Sequence, residues 1–327
     1  MMRILRDYTK VPEECRGLVL AIGNFDGVHR GHQAVISEAQ NIADRLGVAS
    51  GVMTFEPHSR EFFAPTAPPF RLSTMETKAA HLKWLGVDVM VALTFDLPFS
   101  QKSAEEFVRD VLVEGYNVAH VVVGYDFIFG HKRQGTTVVL ADLAKKYGFG
   151  VTVVEPVGEE TVIFSSTAIR DCLKAGDPGK AAALLGHWWE VEGPVIGGDK
   201  RGRTIGFPTA NIPLVGYQHP KLGVYAVRVG LHRGTHVDWI DGVANFGMRP
   251  TFDKKDVLLE VHLLDWSGDL YDQSLRVAFV DYIRAEMKFA GIEELTAQIA
   301  KDVGRAREIL ANHENRQTKY ADKKVHS

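Results

Sequence analysis

The stretch "LVLAIGNFDGVHRGHQAVISEAQNIADRLGVASGVMTF", Leu18 to Phe55, decides the fold. It opens on a short apolar run, Leu18 to Gly23, which reads as a buried strand. A glycine-bearing loop follows. Then Val35, Ala39, Ile42 and Leu46 fall on one helical face, with Gly47 as the stop signal. "GVMTF", Gly51 to Phe55, is a second strand. Strand, helix and strand make a βαβ unit, whose parallel strands require a right-handed crossover.

The pattern continues outward. "VDVMVALTF" (Val87–Phe95), "HVVVG" (His120–Gly124) and "VTVVEPV" (Val151–Val157) read as further strands. Ser103 and Glu106 have the spacing of a capping box for a helix carrying Phe107, Val111 and Leu112. Asp177 and Pro178 open a short helix that closes this half near Gly186. Alternating strands and helices predict a doubly wound α/β sheet over residues 1–186. Past Gly186 the period changes. "WEVEGPVI", "GVYAVRVG", "HVDWIDGVANF", "LLEVHLLDW" and "LRVAFVDYI" are strand-like, with turn residues between them. They predict a small antiparallel barrel or sandwich over 187–312. One helix ends it, with Ile292, Leu295, Ile299, Val303 and Leu310 at helical spacing. Residues 313–327 are polar and are expected to form a flexible tail.

The chain has 327 residues, more than one ordinary core accommodates, which also favours two domains. Its 38 basic and 41 acidic residues leave no electrostatic footprint for nucleic acid or an anionic membrane. Two cysteines, Cys15 and Cys172, form neither a disulfide framework nor a cysteine zinc site, so a reducing cytoplasm is expected. No apolar run is long enough to span a bilayer.

The loop after the first strand carries Gly23, Gly27 and Gly31, and His29 and His32 at i, i+3. At a strand-to-helix turn of a doubly wound sheet, this position faces the ligand crevice. Free N–H groups and the helix dipole favour phosphate there. A lone histidine in such a turn is more often structural. Two histidines and three glycines at this place favour phosphoryl chemistry. Zinc fits poorly, because no third ligand, HExxH or cysteine pair is present.

The residues His29-Arg30-Gly31-His32 resemble the H-x-G-H motif of nucleotidyltransferases with a Rossmann-like fold. "FSSTAIRDCL" resembles their second, serine- and basic-rich loop; Ser166 or Thr167 is expected to cap the helix carrying Arg170. With "TFEPHSREFF" and "VVGYDFIFGHKRQGT", the first half looks like the FMN adenylyltransferase domain of prokaryotic bifunctional riboflavin kinase/FAD synthetases. That resemblance implies ATP contacts from Gly23, Asn24, Phe25, Asp26, Gly27, Gly31, Ser165, Ser166 and Thr167. It implies charge stabilisation by His29, His32 and Arg170, and flavin contacts from Asp126, Phe127 and Gly130. Ser59 stands where a proline is commoner, and Ile128 where an arginine or another polar residue is frequent.

In the second half, "GGDKRGRTIGFPTANI" places Gly197, Gly202, Arg203 and Thr204 close to a Walker A pattern. No helix pattern follows, so a turn over phosphates is the better reading. Thr209 and Asn211, two apart in an extended segment, project to one side as hard oxygen ligands for Mg²⁺ on ATP. Glu260 and His262 alternate with Leu259, Val261 and Leu263 and point to the opposite face of their strand. A carboxylate there can accept a proton from an attacking alcohol. The order of the glycine loop, "PTAN", "GVYAV", "NFGMRPTF", "LEVHLLDWSGDLYDQ" and "RAEMKF" resembles the riboflavin kinase domain. The resemblance implies that Thr209 and Asn211 bind Mg-ATP with Gly202, that Glu260 is the base and that Arg284 lies near flavin. Asp272 stands where a glycine is usual.

The expected fold is therefore a Rossmann-like α/β nucleotidyltransferase domain followed by a small antiparallel β-barrel with a C-terminal helix. The expected partners are riboflavin, FMN and ATP, with Mg²⁺, and there is room for weak self-association. A chain with one active half and a flavin-binding sensor are the competing readings. The pairs His29/His32 and Thr209/Glu260 argue against both. A class I tRNA-synthetase relative is disfavoured by the balanced charge.

Overall fold

A computed structural model describes residues 2–159, 162–197, 202, 205–233, 236–250, 255–271 and 273–321. Arg203, Thr204 and Asp272, singled out in the sequence, lie outside the described residues. The chain divides into two compact units, Met1–Pro68 with Met75–Ser166, and Pro69–Thr74 with Thr167–Ser327.

The first unit is built on a six-stranded sheet of β1 (Arg3–Leu5), β2 (Val19–Ile22), β3 (Ser50–Glu56), β4 (Val89–Thr94), β5 (His120–Gly124) and β6 (Gly150–Val154). Their order is β1-β4-β3-β2-β5-β6, and every pairing is parallel. Chain order runs outward from β2 through β3 to β4, then returns to β5 on the other side of β2. The reversal makes the C-terminal end of β2 a topological switch point, where ligands bind in open α/β sheets. The strands are near-continuous apolar runs because both faces are covered. β2 is buried along its whole length.

The α1 helix (Arg30–Leu46) lies on one face through Val35, Ile36, Ala39, Ile42 and Ala43, and ends at a left-handed Gly47. Leu46 is 53% exposed, so the apolar stripe expected to include it stops at Ala43. The last turn before the glycine cap adds nothing to the core. Ser103 and Glu106 form the expected capping box of a short helix, Ala104–Glu106. It continues as a π-helical stretch, Phe107–Gly115, in place of the ordinary helix the spacing predicts. Phe107, Val111 and Leu112 are buried as expected.

The second unit is an antiparallel sheet of β9 (Trp189–Pro194), β10 (Ala210–Pro213), β11 (Gly223–Arg233), β12 (His236–Pro250), β13 (Lys255–Leu263) and β14 (Ser274–Arg284). The order is β10-β13-β12-β11-β14-β9, and a bridge between Ile196 and Asn211 joins the two ends. This closes a small barrel, which leaves little open edge. The α7 helix (Ser166–Ala175) leads into α8 (Pro178–Leu185), which Asp177 caps through Lys180 N. The terminal α9 (Ile292–Ala321) seats Ala306, Ile309 and Leu310 against Trp188, Val224 and Val280. Ile292 is 67% exposed, so the apolar face of α9 begins later than its spacing predicts. The helical backbone runs to Ala321, into the segment expected to be a flexible tail.

The segment 69–74 belongs to this second unit. Leu72 O accepts from the indole Nε1 of Trp189 at 2.9 Å, and Arg71 O accepts from Gln218 N at 2.7 Å. Trp189 is 1% exposed and packs on Phe279, with ring centroids 4.8 Å apart.

Candidate active sites

In the first unit, the loop leaving β2 is anchored by Gly23 N donating to Met53 O at 3.1 Å. It then takes three left-handed backbone conformations, at Phe25 (φ 48°), Gly27 (φ 81°) and Val28 (φ 43°). Glycine adopts this freely. Phenylalanine and the β-branched valine do not, and each such residue costs on the order of 1–3 kcal/mol. Both side chains are 1% exposed, so burial in the core under α1 holds the strained backbone in place.

His29 is the N-cap of α1, with extended backbone, and its ring accepts a hydrogen bond from His32 N. The accepting atom is Nδ1, at 3.3 Å. A neutral His29 therefore carries its proton on Nε2. The His29 and His32 rings stack at 3.5 Å with an interplanar angle of 21°. Phe25 meets His32 edge-on at 5.2 Å. The i, i+3 spacing thus brings the two rings together, although His29 precedes the first helical turn.

Gly31 is explained by packing. A Cβ there would meet His29 Cε1, His29 Nδ1 and Phe164 O, each at 3.1 Å. The Arg30 guanidinium lies over the Phe164 ring at 4.3 Å. Ser166 Oγ donates to Asp26 O at 3.0 Å, joining the serine loop to the glycine loop. Asp26 is 3% exposed. Ser166 is the first residue of α7, so the cap position falls on Ser165, not on Ser166 or Thr167 as the sequence suggested. Thr167 is exposed. Arg170, in the second unit, donates from Nε to Phe70 O at 2.7 Å and lies over the Phe70 ring at 5.2 Å.

Asp126 is exposed after β5, and Phe127 stacks on Phe129 at 5.3 Å. Gly130 is left-handed (φ 73°), and a Cβ there would meet Ala104 N at 2.7 Å. Phe129, Phe107, Phe99 and Phe95 continue the contact series, with neighbouring centroids at 5.5, 6.1 and 5.8 Å. Phe95, Phe99, Lys102, Phe107 and Gly130 are among the residues lining a small cavity. This aromatic series is not visible in the sequence because its members come from three separate segments. Ile128 is 43% exposed between its two phenylalanines.

In the second unit, cross-strand register assembles the site. Glu260 on β13 pairs with Asn211 on β10 and with Asn245 on β12. Directly opposed residues share a face of the sheet, so the carboxyl is flanked by two amides. Thr209 lies exposed just before β10, two residues ahead of the buried Asn211. Leu259 and Val261 are fully buried on the other face, while Glu260 is exposed. His262 Nδ1 lies 2.9 Å from Pro208 O. A carbonyl only accepts, so this nitrogen carries the proton and ties down the chain just before Thr209. A Cβ at Gly202 would collide with Phe207 O, which accounts for the glycine at that position. Asn245 was not read as a site residue, although a polar position between apolar neighbours on a strand was the available signal.

Arg284 has a different setting. Its Nε donates to Asp302 Oδ1 at 2.9 Å and its Nη2 to Asp302 Oδ2 at 2.7 Å. Its Nη1 donates to Ala285 O at 2.9 Å. Asp302 is 3% exposed on α9, so this guanidinium fastens the terminal helix to β14. Glu286 reaches back over Gly247, where a Cβ would collide with its carboxylate and meet Asn245 Nδ2 at 3.0 Å.

Comparison with known proteins gives the same division of labour. The FAD synthetase family model matches residues 11–168, and the riboflavin kinase family model matches residues 185–310. A bifunctional riboflavin kinase/FMN adenylyltransferase of Escherichia coli (strain K12) is 42% identical, over 95% of this chain and 97% of its own. One from Haemophilus influenzae is 41% identical over 94% of this chain and 98% of its own. A crystal structure described as a macrolide-efflux protein from Streptococcus pneumoniae is 29% identical, with a TM-score of 0.82 over 94% of this chain and 98% of that one. Among the described residues no helix of this chain is long and apolar enough to cross a membrane. The chain belongs to the bifunctional riboflavin kinase/FMN adenylyltransferase family, whose FAD synthetase part comes first and whose riboflavin kinase part follows, and it serves FMN and FAD biosynthesis.

Proposed function

We propose that Glu260 is the base of the kinase step and that His29 and His32 act in the adenylyl step. The register that sets Glu260 between Asn211 and Asn245 carries the first assignment. The exposed carboxylate accepts the proton of the ribityl 5′-hydroxyl as that oxygen takes the γ-phosphoryl group of ATP. The products are FMN and ADP. Thr209, Asn211 and Gly202 hold the nucleotide. Among the described residues no group of three or more acidic, histidine or cysteine side chains could hold a metal by itself. A hydroxyl and an amide oxygen suit a hard cation that arrives already bound to phosphates. Thr209 and Asn211 would hold Mg²⁺ there, and it would supply charge neutralisation.

In the first unit the FMN phosphate attacks the α-phosphorus of a second ATP, and pyrophosphate leaves. The FMN phosphate has a second pKa of about 6 and is mostly dianionic at neutral pH. It needs no general base. The His29 and His32 ring N–H groups and the loop N–H groups stabilise the charge that develops. Residues 1–186 and 187–312 are taken as the two functional regions, and the free cysteines suit a cytoplasmic enzyme.

The test is chromatography of flavins after incubation with riboflavin, ATP and Mg²⁺. Glu260→Ala should stop at riboflavin yet convert supplied FMN to FAD. His29→Ala with His32→Ala should accumulate FMN. Loss of both steps from either change, in a folded protein, refutes the two-site assignment.

A further inference from the structure

One buried cation has no part in this mechanism. Lys78, on α3 (Met75–Trp84), is 3% exposed. Its Nζ donates to Thr54 Oγ1 at 3.1 Å and to Glu56 Oε1 at 3.3 Å. Thr54 is fully buried and donates from Oγ1 to Asn24 O at 3.1 Å. Lysine is seldom buried unless paired. Desolvating a lysine–glutamate pair costs several kcal/mol, so stability alone is a weak reason for such an arrangement.

The location supplies a better reason. Thr54 and Glu56 lie at the C-terminal end of β3, beside the end of β2 from which the glycine loop departs. That loop carries the strained Phe25 and Val28 and is tied down by several bonds. They include Gly23 N to Met53 O, Ser166 Oγ to Asp26 O, Gln33 Nε2 to Val28 O, and Thr54 Oγ1 to Asn24 O. An ammonium only donates. When it donates to Thr54 Oγ1, the hydroxyl proton remains for Asn24 O, so the cation fixes the direction of the bond. It also polarises that bond and strengthens it.

We propose that Lys78 is a positioning residue for adenylyl transfer: acting through Thr54, it holds the Asn24 end of the glycine loop in the geometry that receives the ATP phosphates. The inference rests on the reading of Gly23–Gly31 as the ATP site of the first unit.

The test uses the full chain and steady-state conversion of FMN to FAD. Lys78→Met and Thr54→Val should each lower kcat by about tenfold or more, because small displacements of positioning groups are costly. KM for FMN should hold. The double variant should be no worse than the poorer single variant, since both act through one hydrogen-bonded chain. Lys78→Arg should recover part of the loss. Riboflavin phosphorylation by the same polypeptide should be unchanged. If Lys78→Met does not fold, Thr54→Val and Lys78→Met with Glu56→Gln carry the test. Parental kcat in Thr54→Val or Lys78→Met overturns the proposal, as does a double variant whose loss is the product of the two single losses. A parent protein that makes no FAD from FMN overturns the underlying site reading, and this inference with it.

Discussion

Replacing Gly31 by alanine separates stability from catalysis. Gly31 is the second residue of α1, and its φ is not in the left-handed region. Alanine gains up to about 1 kcal/mol of helix propensity over glycine. The added methyl would meet two His29 ring atoms and a backbone carbonyl, all at 3.1 Å. Ordinary contact lies nearer ~3.5–4.0 Å, so His29 or the Phe164 peptide must shift by a few tenths of an ångström. Overpacking of this kind costs about 1–3 kcal/mol. The two terms oppose each other, and unfolding should move by no more than about 2 kcal/mol. Activity has no such offset. His29 caps the helix and stacks on His32, so a displaced ring disturbs both imidazoles. Since a misplacement of about 1 Å can cost a hundredfold, a loss of about tenfold in FMN adenylylation is expected. Riboflavin phosphorylation, measured on the same preparation, should be unaffected. The assay is FMN-to-FAD turnover beside a denaturant melt. A Gly31→Ala protein with parental FAD synthesis refutes the packing argument. A protein that loses both activities shows that the glycine matters for folding.

Two further perturbations test the second unit. Arg284→Met leaves the Asp302 carboxylate buried without its guanidinium, a change that costs about 3–5 kcal/mol. The second unit should melt earlier, and Asp302→Leu added to it should recover much of the loss. An unchanged melt with a raised KM for riboflavin would assign Arg284 to the flavin instead. His219 is half-buried beside Phe246, and burial lowers its pKa from the ordinary 6.5. The unfolded chain then binds more protons than the folded one as pH falls below that value, so acid destabilises the fold there. His219→Gln should flatten that limb of a pH series of melts. An unchanged slope would refute the assignment.

The architecture was legible because each half keeps its own pattern. Leu18–Phe55 alternates strand, glycine loop and helix, and the parallel sheet follows from it. After Gly186 the strands keep period two up to the terminal helix. Element ends were less legible. Leu46 and Ile292 have the right spacing, yet each is the terminal residue of its helix and is exposed. The nature of the helix after Glu106 was not readable, since π and α turns accept the same apolar residues at Phe107, Val111 and Leu112. Motif residues stood out where chain neighbours cluster, as in His29–His32. Partners supplied by the fold did not. Lys78 has nothing in "METKAAHL" to mark it as buried, and Phe164 acquires its place against Arg30 only when the two loops meet. Arg284 carried a motif, but its bond to Asp302 depends on how α9 docks on the barrel.

The six residues 69–74 make the second unit discontinuous in the gene. A fragment beginning at His187 would contain every strand of the barrel and all of α9, but not the carbonyl of Leu72 that receives the Trp189 indole proton. It would also lack the Arg71 carbonyl bonded to Gln218 N. Each buried donor left without an acceptor costs about 1–3 kcal/mol, a large part of an ordinary domain's stability. Dissecting the two activities onto separate polypeptides is therefore asymmetric. The kinase piece has to keep α7 and α8 and be supplied with a short peptide from within the first half of the chain before its isolated stability can be compared with that of the parent.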